Sequence, residues 1–480
     1  MKQLTRESRL LMVAVIVLLL SIPTFGTMSE ELKWTQFKKD NLTIHLLLED
    51  TPPTLAVKSI VSEFTAKTGI KVEITQARLE DIVAKTMLDF SAGAGDIELI
   101  YADPYQILAP LYGHLTDMRK FINDPTLPKI PVGLDDFIRT TLIAGGYMID
   151  KERLLAIPYD CPTMIWIYRK DIFKKYQDKF MTDKGYDWTP GGNLSWEQYF
   201  EIAKWINNNV SEVKAGTGHQ ALMYDSLQCD FSNVLAAYGG KYFANNQVSL
   251  WGSNLPGKCM LDQPEAIEAA KFYKKLLGIA HPGSTAWDWN GVTEAFAAGE
   301  IAMIPGWHEH AAIFENPNRS GVAGKVGYTI LPHGTNGSKN HWGGTNIAIN
   351  SYASEKKQKA AWLYILWATS PEVQKKLLLK GSTPTRSSVY EDPDVKKWIK
   401  EKKHPIMESL QAVTEAWKPD NIFLRPKTPY WLEVNTVIFT NLSYMLAGKM
   451  TPEEAMKNAA KDIDQITGYN KLKKDLPQDQ

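Results

Sequence analysis

The sequence predicts an α/β protein of two lobes, each a mostly parallel sheet flanked by helices, with a cleft at the hinge between them. Three observations carry this reading. At 480 residues the chain exceeds the usual span of one hydrophobic core. Residues 42–101 alternate strand, helix, strand, helix, strand, as a sheet covered on both faces requires. Residues 154–173 read as an extended segment that leaves one lobe, passes a hinge and enters the other.

The chain opens with Lys2, Arg6 and Arg9, an apolar run from Leu10 to Ile22, and Pro23-Thr-Phe-Gly26. This is the pattern of a secretory signal peptide over 1–26, too short for a comfortable membrane span. No cysteine lies near the cleavage point, so a lipid anchor is not expected and free diffusion in a periplasm is. Leu42-Thr-Ile-His-Leu-Leu-Leu48 is the first strand and runs into the loop Glu49-Asp50-Thr51. Val57, Ile60, Val61 and Phe64 sit at helical spacing up to Gly69, and Ile70, Val72 and Ile74 alternate as a second strand. Leu79, Ile82, Val83, Met87 and Phe90 mark another helix, and residues 95–101 a third strand ending at Tyr101-Ala-Asp103. In open α/β sheets ligands sit beyond the carboxyl ends of strands, so Glu49, Asp50, Tyr101 and Asp103 are candidate binding residues.

In the crossing segment Pro158 and Pro162 bracket Tyr159-Asp160-Cys161, holding it extended, and Met164–Tyr168 has the composition of a buried strand. Beyond it, Ser195 and Gln198 form a capping box, and Pro264, Pro371 and Pro452 sit where helices start. These are fold signals. The loops between them repeat another theme, an aromatic beside Gly, Pro or Asp: Trp287-Asp288-Trp289, Gly306-Trp307, Trp342-Gly343-Gly344, and Arg425 through Tyr430-Trp431. A loop tryptophan alone packs on its own lobe more often than it carries ligand. The recurrence points to carbohydrate, whose C–H faces need aromatic platforms and whose hydroxyls need carboxylates, amides and arginine. Two platforms and a few charged hydrogen bonds suffice for a micromolar site, roughly −8 kcal/mol.

Lys+Arg and Asp+Glu both number 54, so nothing favours nucleic acid. A small-molecule carbohydrate or polyol, bound by a monomer, fits better. Cys229 and Cys259 could pair in an oxidising compartment, adding roughly 3 kcal/mol; Cys161 would stay an inert buried thiol. His308 and His310 are two apart and would face away from each other on a helix, so no metal is expected, and no motif calls for a cofactor. A secreted glycosidase would also carry aromatics and paired carboxylates, with Asp103 and Asp160 or Asp288 as the pair.

Phe64–Glu73, Gly95–Ile100, Leu108–Asp117, Ala156–Asp160 with Tyr168–Phe173, Ala295–Met303 and Gly381-Ser-Thr-Pro-Thr-Arg386, in this order, resemble the family 1 extracellular solute-binding proteins of bacterial ABC importers, the group of maltose- and glycerol-3-phosphate-binding proteins. The resemblance implies the two-lobed periplasmic-binding-protein fold and closure by hinge bending. The first lobe would be 27–158 and 341–387, the second 159–340 and 388–470, with 174–194 a variable insertion and 471–480 a tail. By position it carries binding roles to Glu49, Asp50, Tyr101, Asp103, Tyr159, Asp160, Trp287, Trp307, Tyr430, Trp431, Gly343, Gly344 and Arg386. Asp288, Trp289 and the His308-Glu309-His310 run have no counterpart in that pattern; Asp288 and Trp289 stand as candidates on their aromatic–acid loop alone. Asp103, Asp160 and Arg386 would take hydroxyls, with Trp287, Trp307 and Trp431 as platforms. The expected function is capture of a sugar or sugar alcohol and its delivery to ABC permease subunits. Arg386 leaves open an acidic ligand such as glycerol 3-phosphate or a sugar acid, and a protein of this kind can also present ligand to a chemoreceptor.

Overall fold

A computed structural model describes residues 28–401, 404 and 406–469. The expected signal peptide and tail lie outside the described residues. Among the described residues are thirteen strands: β1 (Thr43–Glu49), β2 (Lys71–Ala77), β3 (Leu99–Tyr101), β4 (Ala156–Asp160), β5 (Met164–Arg169), β6 (Ala215–Thr217), β7 (Ile301–Trp307), β8 (Val326–Thr329), β9 (His333–Gly334), β10 (Gly337–Ser338), β11 (Asn340–Trp342), β12 (Thr345–Ile349) and β13 (Ile422–Leu424).

Two sheets organise the two lobes. The first has the order β2-β1-β3-β12-β4 and the second β6-β7-β5-β8. In the first, β1 runs parallel to β2 and β3, while β12 is antiparallel to β3 and β4; all strands but β12 therefore point the same way. In the second, β6 and β7 are parallel and β5 opposes both β7 and β8, so β5 alone is reversed. Each reversed strand sits at a crossing, where the chain enters the sheet from the other lobe.

The first lobe follows the sequence pattern closely. Gly69 at φ 78° closes the Val61–Thr68 helix; a Cβ there would lie 2.8 Å from the Lys38 backbone. The single helix expected before it is two, Pro52–Lys58 and Val61–Thr68, because Ile60 at φ −127°, ψ 0° breaks the ladder between them. In the second lobe, Ser195 and Gln198 form their capping box, and Thr451 with Glu454 forms another.

The chain crosses between lobes where the prolines direct it. β4 ends at Asp160 in the first sheet and β5 begins at Met164 in the second, leaving Cys161–Thr163 as the link. Thr163 Oγ1 accepts the indole N–H of Trp417 at 2.9 Å, and its backbone N–H donates to His308 Nδ1 at 3.0 Å. Asp160 ties this link to another: it accepts the Ser382 hydroxyl at 2.8 Å and the Thr383 N–H. β11, at the expected boundary near 341, pairs with β13 in a ladder of its own. One buried cluster runs from the first sheet through Trp166 and Trp431 into the 196–276 helices, and a second packs Ile165, Ile167 and β7 against the 406–416 helix.

The cysteines do not pair: Cys161, Cys229 and Cys259 are all free and buried. Cys229 sits on the Asp225–Ala237 helix with its thiol toward Asp225, 3.7 Å away. Cys259 bridges Phe243, and its N–H donates to Asp464. The two thiols occupy different packing environments, and the expected Cys229–Cys259 disulfide is corrected.

Candidate functional site

The carboxyl ends of β1 and β3 open on a solvent-connected cleft between the lobes, with about 430 Å³ of empty space. From the first lobe it is lined by Glu49, Thr51, Leu79, Tyr101 and Asp103. Pro162 of the crossing and the Gly343-Gly344 turn form its back. Trp289, Trp307, Glu309, His310, Asp225, Cys229 and Arg425 complete the wall.

The aromatic faces are fixed by local packing. Trp307 ends β7, is 8% exposed, and meets His341 edge-on with ring centres 5.6 Å apart. Gly343 permits this approach, since a Cβ there would be 3.0 Å from the Trp307 ring and 3.1 Å from Pro162. Gly344 turns the chain at φ 78°, where a Cβ would lie 2.3 Å from Trp342. Trp289 opens the Trp289–Ala297 helix, capped by Asp288 through Gly291 N–H at 2.9 Å, and leans on Tyr224 at 5.1 Å. Two indoles from the second lobe thus face carboxyl groups from the first.

Arg425 is the electrostatic centre. It is 2% exposed, and its guanidinium donates to Asp103 Oδ2 at 3.3 Å and to the Asp225 carboxylate at 3.3 and 3.4 Å. Asp103 Oδ1 is already engaged by the backbone N–H groups of Tyr105 and Gln106, at 2.9 and 2.7 Å, in the turn after β3. Asn435 Nδ2 donates to Asp225 Oδ1 at 2.7 Å. One cation therefore serves two carboxylates from different lobes, and Tyr105 stacks under it with the ring centre 4.1 Å away.

The other two carboxyls have no such partner. Glu49 accepts the Tyr101 hydroxyl at 2.9 Å, yet burial, which outweighs that bond, and the nearby Asp103 and Asp225 charges push it up to about 8. Burial and the charges of Asp160 and Glu49 hold the Glu309 carboxyl well above the ordinary range. His310 bonds Thr293 at 2.6 Å, and burial lowers it to about 3, so it faces the cleft neutral. Such walls offer protonated carboxyls and phenols as donors and paired carboxylates as acceptors, which suits a ligand bearing many hydroxyls.

Of the residues singled out in the sequence, Glu49, Tyr101, Asp103, Trp289, Trp307, Gly343 and Gly344 come together around this space. The others lie elsewhere. Asp50 is exposed and takes Gln76 at 3.0 Å, because the chain turns into the Pro52–Lys58 helix before it can point inward. Tyr159 is buried, its hydroxyl 3.5 Å from that of Tyr364, and Asp160 joins the two crossing segments behind the cleft. Trp287 stacks on His281 at 4.6 Å within its own lobe, and Asp288 caps a helix while reaching Arg78 at 3.3 Å. Trp431 is fully buried between Tyr105 and Tyr242, at 6.2 and 5.8 Å, and Tyr430 precedes its helix half-buried. Arg386 is fully buried in the first lobe: it donates to the carbonyls of Thr369, Pro131 and Gly133 and lies 3.6 Å over Phe137. It pins a turn and does not reach the cleft.

A family model described as bacterial extracellular solute-binding protein matches residues 59–403. The chain belongs to this family. A probable amino-acid ABC transporter periplasmic-binding protein of Sinorhizobium fredii is 24% identical over 405 residues, 83% of each chain. A ribitol complex of an ABC transporter solute-binding protein from Agrobacterium radiobacter K84 superposes with a TM-score of 0.74 at 23% identity, covering 88% of this chain and 98% of that one. A maltose-bound T. maritima protein gives 0.73 at 25%, covering 88% and 100%. In this solute-binding protein, then, the cleft between two lobes is where a solute would sit.

Arg425, Asp225 and Glu309 are the cleft residues that sequence reasoning missed. Arg425 lies in the loop whose sequence points to Tyr430 and Trp431, and Glu309 lies between two histidines that draw the eye to metal chemistry. Asp225 had a readable signal: the Asp225–Ala237 helix carries Asp, Gln, Asp, Ser and Asn among apolar residues with no clean stripe, and every residue in it is buried. A helix polar on several faces and still internal must spend those groups on a site or a network.

Proposed function

We propose that this chain is the capture component of an ABC importer for a hydroxyl-rich carbohydrate or sugar alcohol, acting in the periplasm and delivering its ligand to membrane permease subunits. The observation that carries this reading is the pairing of two indoles, Trp289 and Trp307, with the Glu49, Tyr101 and Arg425–Asp103–Asp225 groups around one interlobe space. Aromatic faces take the C–H surface of a sugar and the polar groups take its hydroxyls. The ribitol and maltose complexes of similarly folded proteins support the class. The binding residues would be Glu49, Tyr101, Asp103, Trp289, Trp307 and Arg425. Closure brings Arg425 of the second lobe onto Asp103 of the first, so ligand and ion pair together favour the closed form.

An anionic ligand fits less well. Arg386 serves backbone carbonyls, and Arg425 is matched by two carboxylates, so among the described residues of the cleft no cation is left for a phosphate, a sugar acid or the carboxylate of an amino acid. A glycosidase pair is disfavoured for a similar reason: Asp103 is held by two N–H groups and Arg425, and Asp160 by the second crossing. Thermal-shift and calorimetric screening of the purified protein tests the reading against pentitols, hexitols, mono- and disaccharides, glycerol phosphate and amino acids. A raised melting temperature with a neutral sugar or polyol is expected. Shifts confined to anions or amino acids would overturn it.

A further inference from the structure

Among the described residues the cleft is lined by four carboxyl groups, Glu49 and Asp103 from the first lobe and Asp225 and Glu309 from the second, but by a single cationic side chain, Arg425. That cation is spent on Asp103 and Asp225. Glu49 faces Tyr101, Asp103, Asp225 and Glu80; Glu309 faces Asp160, Glu49 and the neutral His310. Among the described residues neither has an ion-pair partner. Glu49 has one neutral donor, the Tyr101 hydroxyl, and Glu309, 7% exposed, has the carboxyl of Asp160 as its side-chain partner. Neither is matched by a cation, which costs free energy that neutral packing would avoid, and the two groups come from opposite lobes and line the same space as the two indoles.

We propose that the ligand is an amino-bearing sugar or polyol whose ammonium lies between Glu49 and Glu309. The inference rests on the carbohydrate reading and narrows it: the hydroxyls would use Tyr101 and the Arg425 network, while the ammonium supplies the positive charge that the protein leaves out. In the empty cleft burial holds both carboxyls toward their protonated forms. An entering ammonium donates N–H hydrogen bonds to the carboxylates, and each carboxyl that ionises releases one proton to buffer. A neutral polyol leaves both protonated and releases none. Affinity for the amine therefore rises with pH until the ligand ammonium itself deprotonates.

Matched pairs test this: D-glucosamine against D-glucose, and 1-amino-1-deoxysorbitol against sorbitol, by calorimetry at pH 7.5 in two buffers of different ionisation enthalpy. The expected result is at least tenfold tighter binding of the amine in one pair, with buffer-dependent heat that reports proton release. Glu309→Gln and Glu49→Gln, each verified as folded by melting temperature, should collapse the amine-to-hydroxyl ratio. Equal or tighter binding of the hydroxyl member, or an amine preference without proton release, would overturn the inference and leave the carbohydrate reading standing. Binding of neither member of either pair, with a shift elsewhere in the wider screen confined to anions or amino acids, would overturn both.

Discussion

Arg386 and Arg425 are both buried arginines at the ends of loops, and their surroundings give them opposite work. Arg386 donates to three carbonyls of one lobe, and Asp136 lies 3.7 Å away. Arg425 meets carboxylates of both lobes at the cleft wall. The first fixes a turn within one lobe; the second joins the two lobes across the cleft. Burial and residue type are the same, so the partners alone decide whether a guanidinium holds one lobe or ties two.

The largest expected effect comes from separating those two roles. Arg425→Met leaves Asp103 and Asp225 buried without their cation, a change that costs about 3–5 kcal/mol when one partner of a buried pair is removed; ligand affinity measured by calorimetry should fall at least a hundredfold. Arg386→Met should lower the melting temperature while affinity stays within about threefold. If Arg386→Met damages affinity as much as Arg425→Met, the division between them is wrong. The tryptophans extend the contrast. Trp431→Ala opens a cavity in the main core and should cost about 3–5 kcal/mol in denaturant unfolding with little loss of affinity beyond that, whereas Trp307→Ala, at a buried position of the cleft wall, should in addition weaken binding by about tenfold, the scale of one aromatic contact.

A smaller effect is expected from pH. Glu49 rises from 4.5 to about 8 on folding, so its contribution to stability is full below about pH 4.5 and is lost as pH climbs through 8. His308 and His310, lowered to about 4 and 3, work the other way and lose their contribution as pH falls below 6.5. Subtracting the Glu49→Gln melting curve from that of the parent isolates the carboxyl; the difference should shrink from pH 5 to pH 8, and a flat difference would remove Glu49 from the account. The least effect belongs to the rim. Arg78 meets Asp288 at 3.3 Å across the mouth, with half its side chain exposed. Such pairs contribute about 0–1 kcal/mol, so Arg78→Ala should raise the ligand off-rate by no more than about fivefold in stopped-flow displacement.

The same contrast explains what could be read in the sequence. β1, β2 and the Leu79–Ala92 helix were legible because their periodicity is local, and Gly69 and Ser195 mark ends by chemistry within a turn. The crossing was legible because two prolines bracket it. Glu49, Tyr101 and Asp103 followed from the position of strand ends. Trp287 is the platform the sequence favours, yet Trp289 faces the cleft, since a shift of two residues decides which indole stacks on His281. Arg386 was misplaced for another reason: a resemblance carries a position across, but only coordinates reveal where a long side chain ends. Arg425 and Asp225 meet across about 200 residues of chain, at a distance no pattern of spacing encodes.

Thr163 lies in the link between the lobes, and its hydroxyl oxygen accepts the indole N–H of Trp417. His308 exchanges both backbone-level bonds with the same residue, its Nδ1 accepting the Thr163 N–H at 3.0 Å and its own N–H donating to the Thr163 carbonyl at 3.1 Å. Thr163 is thus tied on both sides to the second lobe, and any change of angle between the lobes falls on Cys161 and Pro162, the two residues between β4 and that anchor.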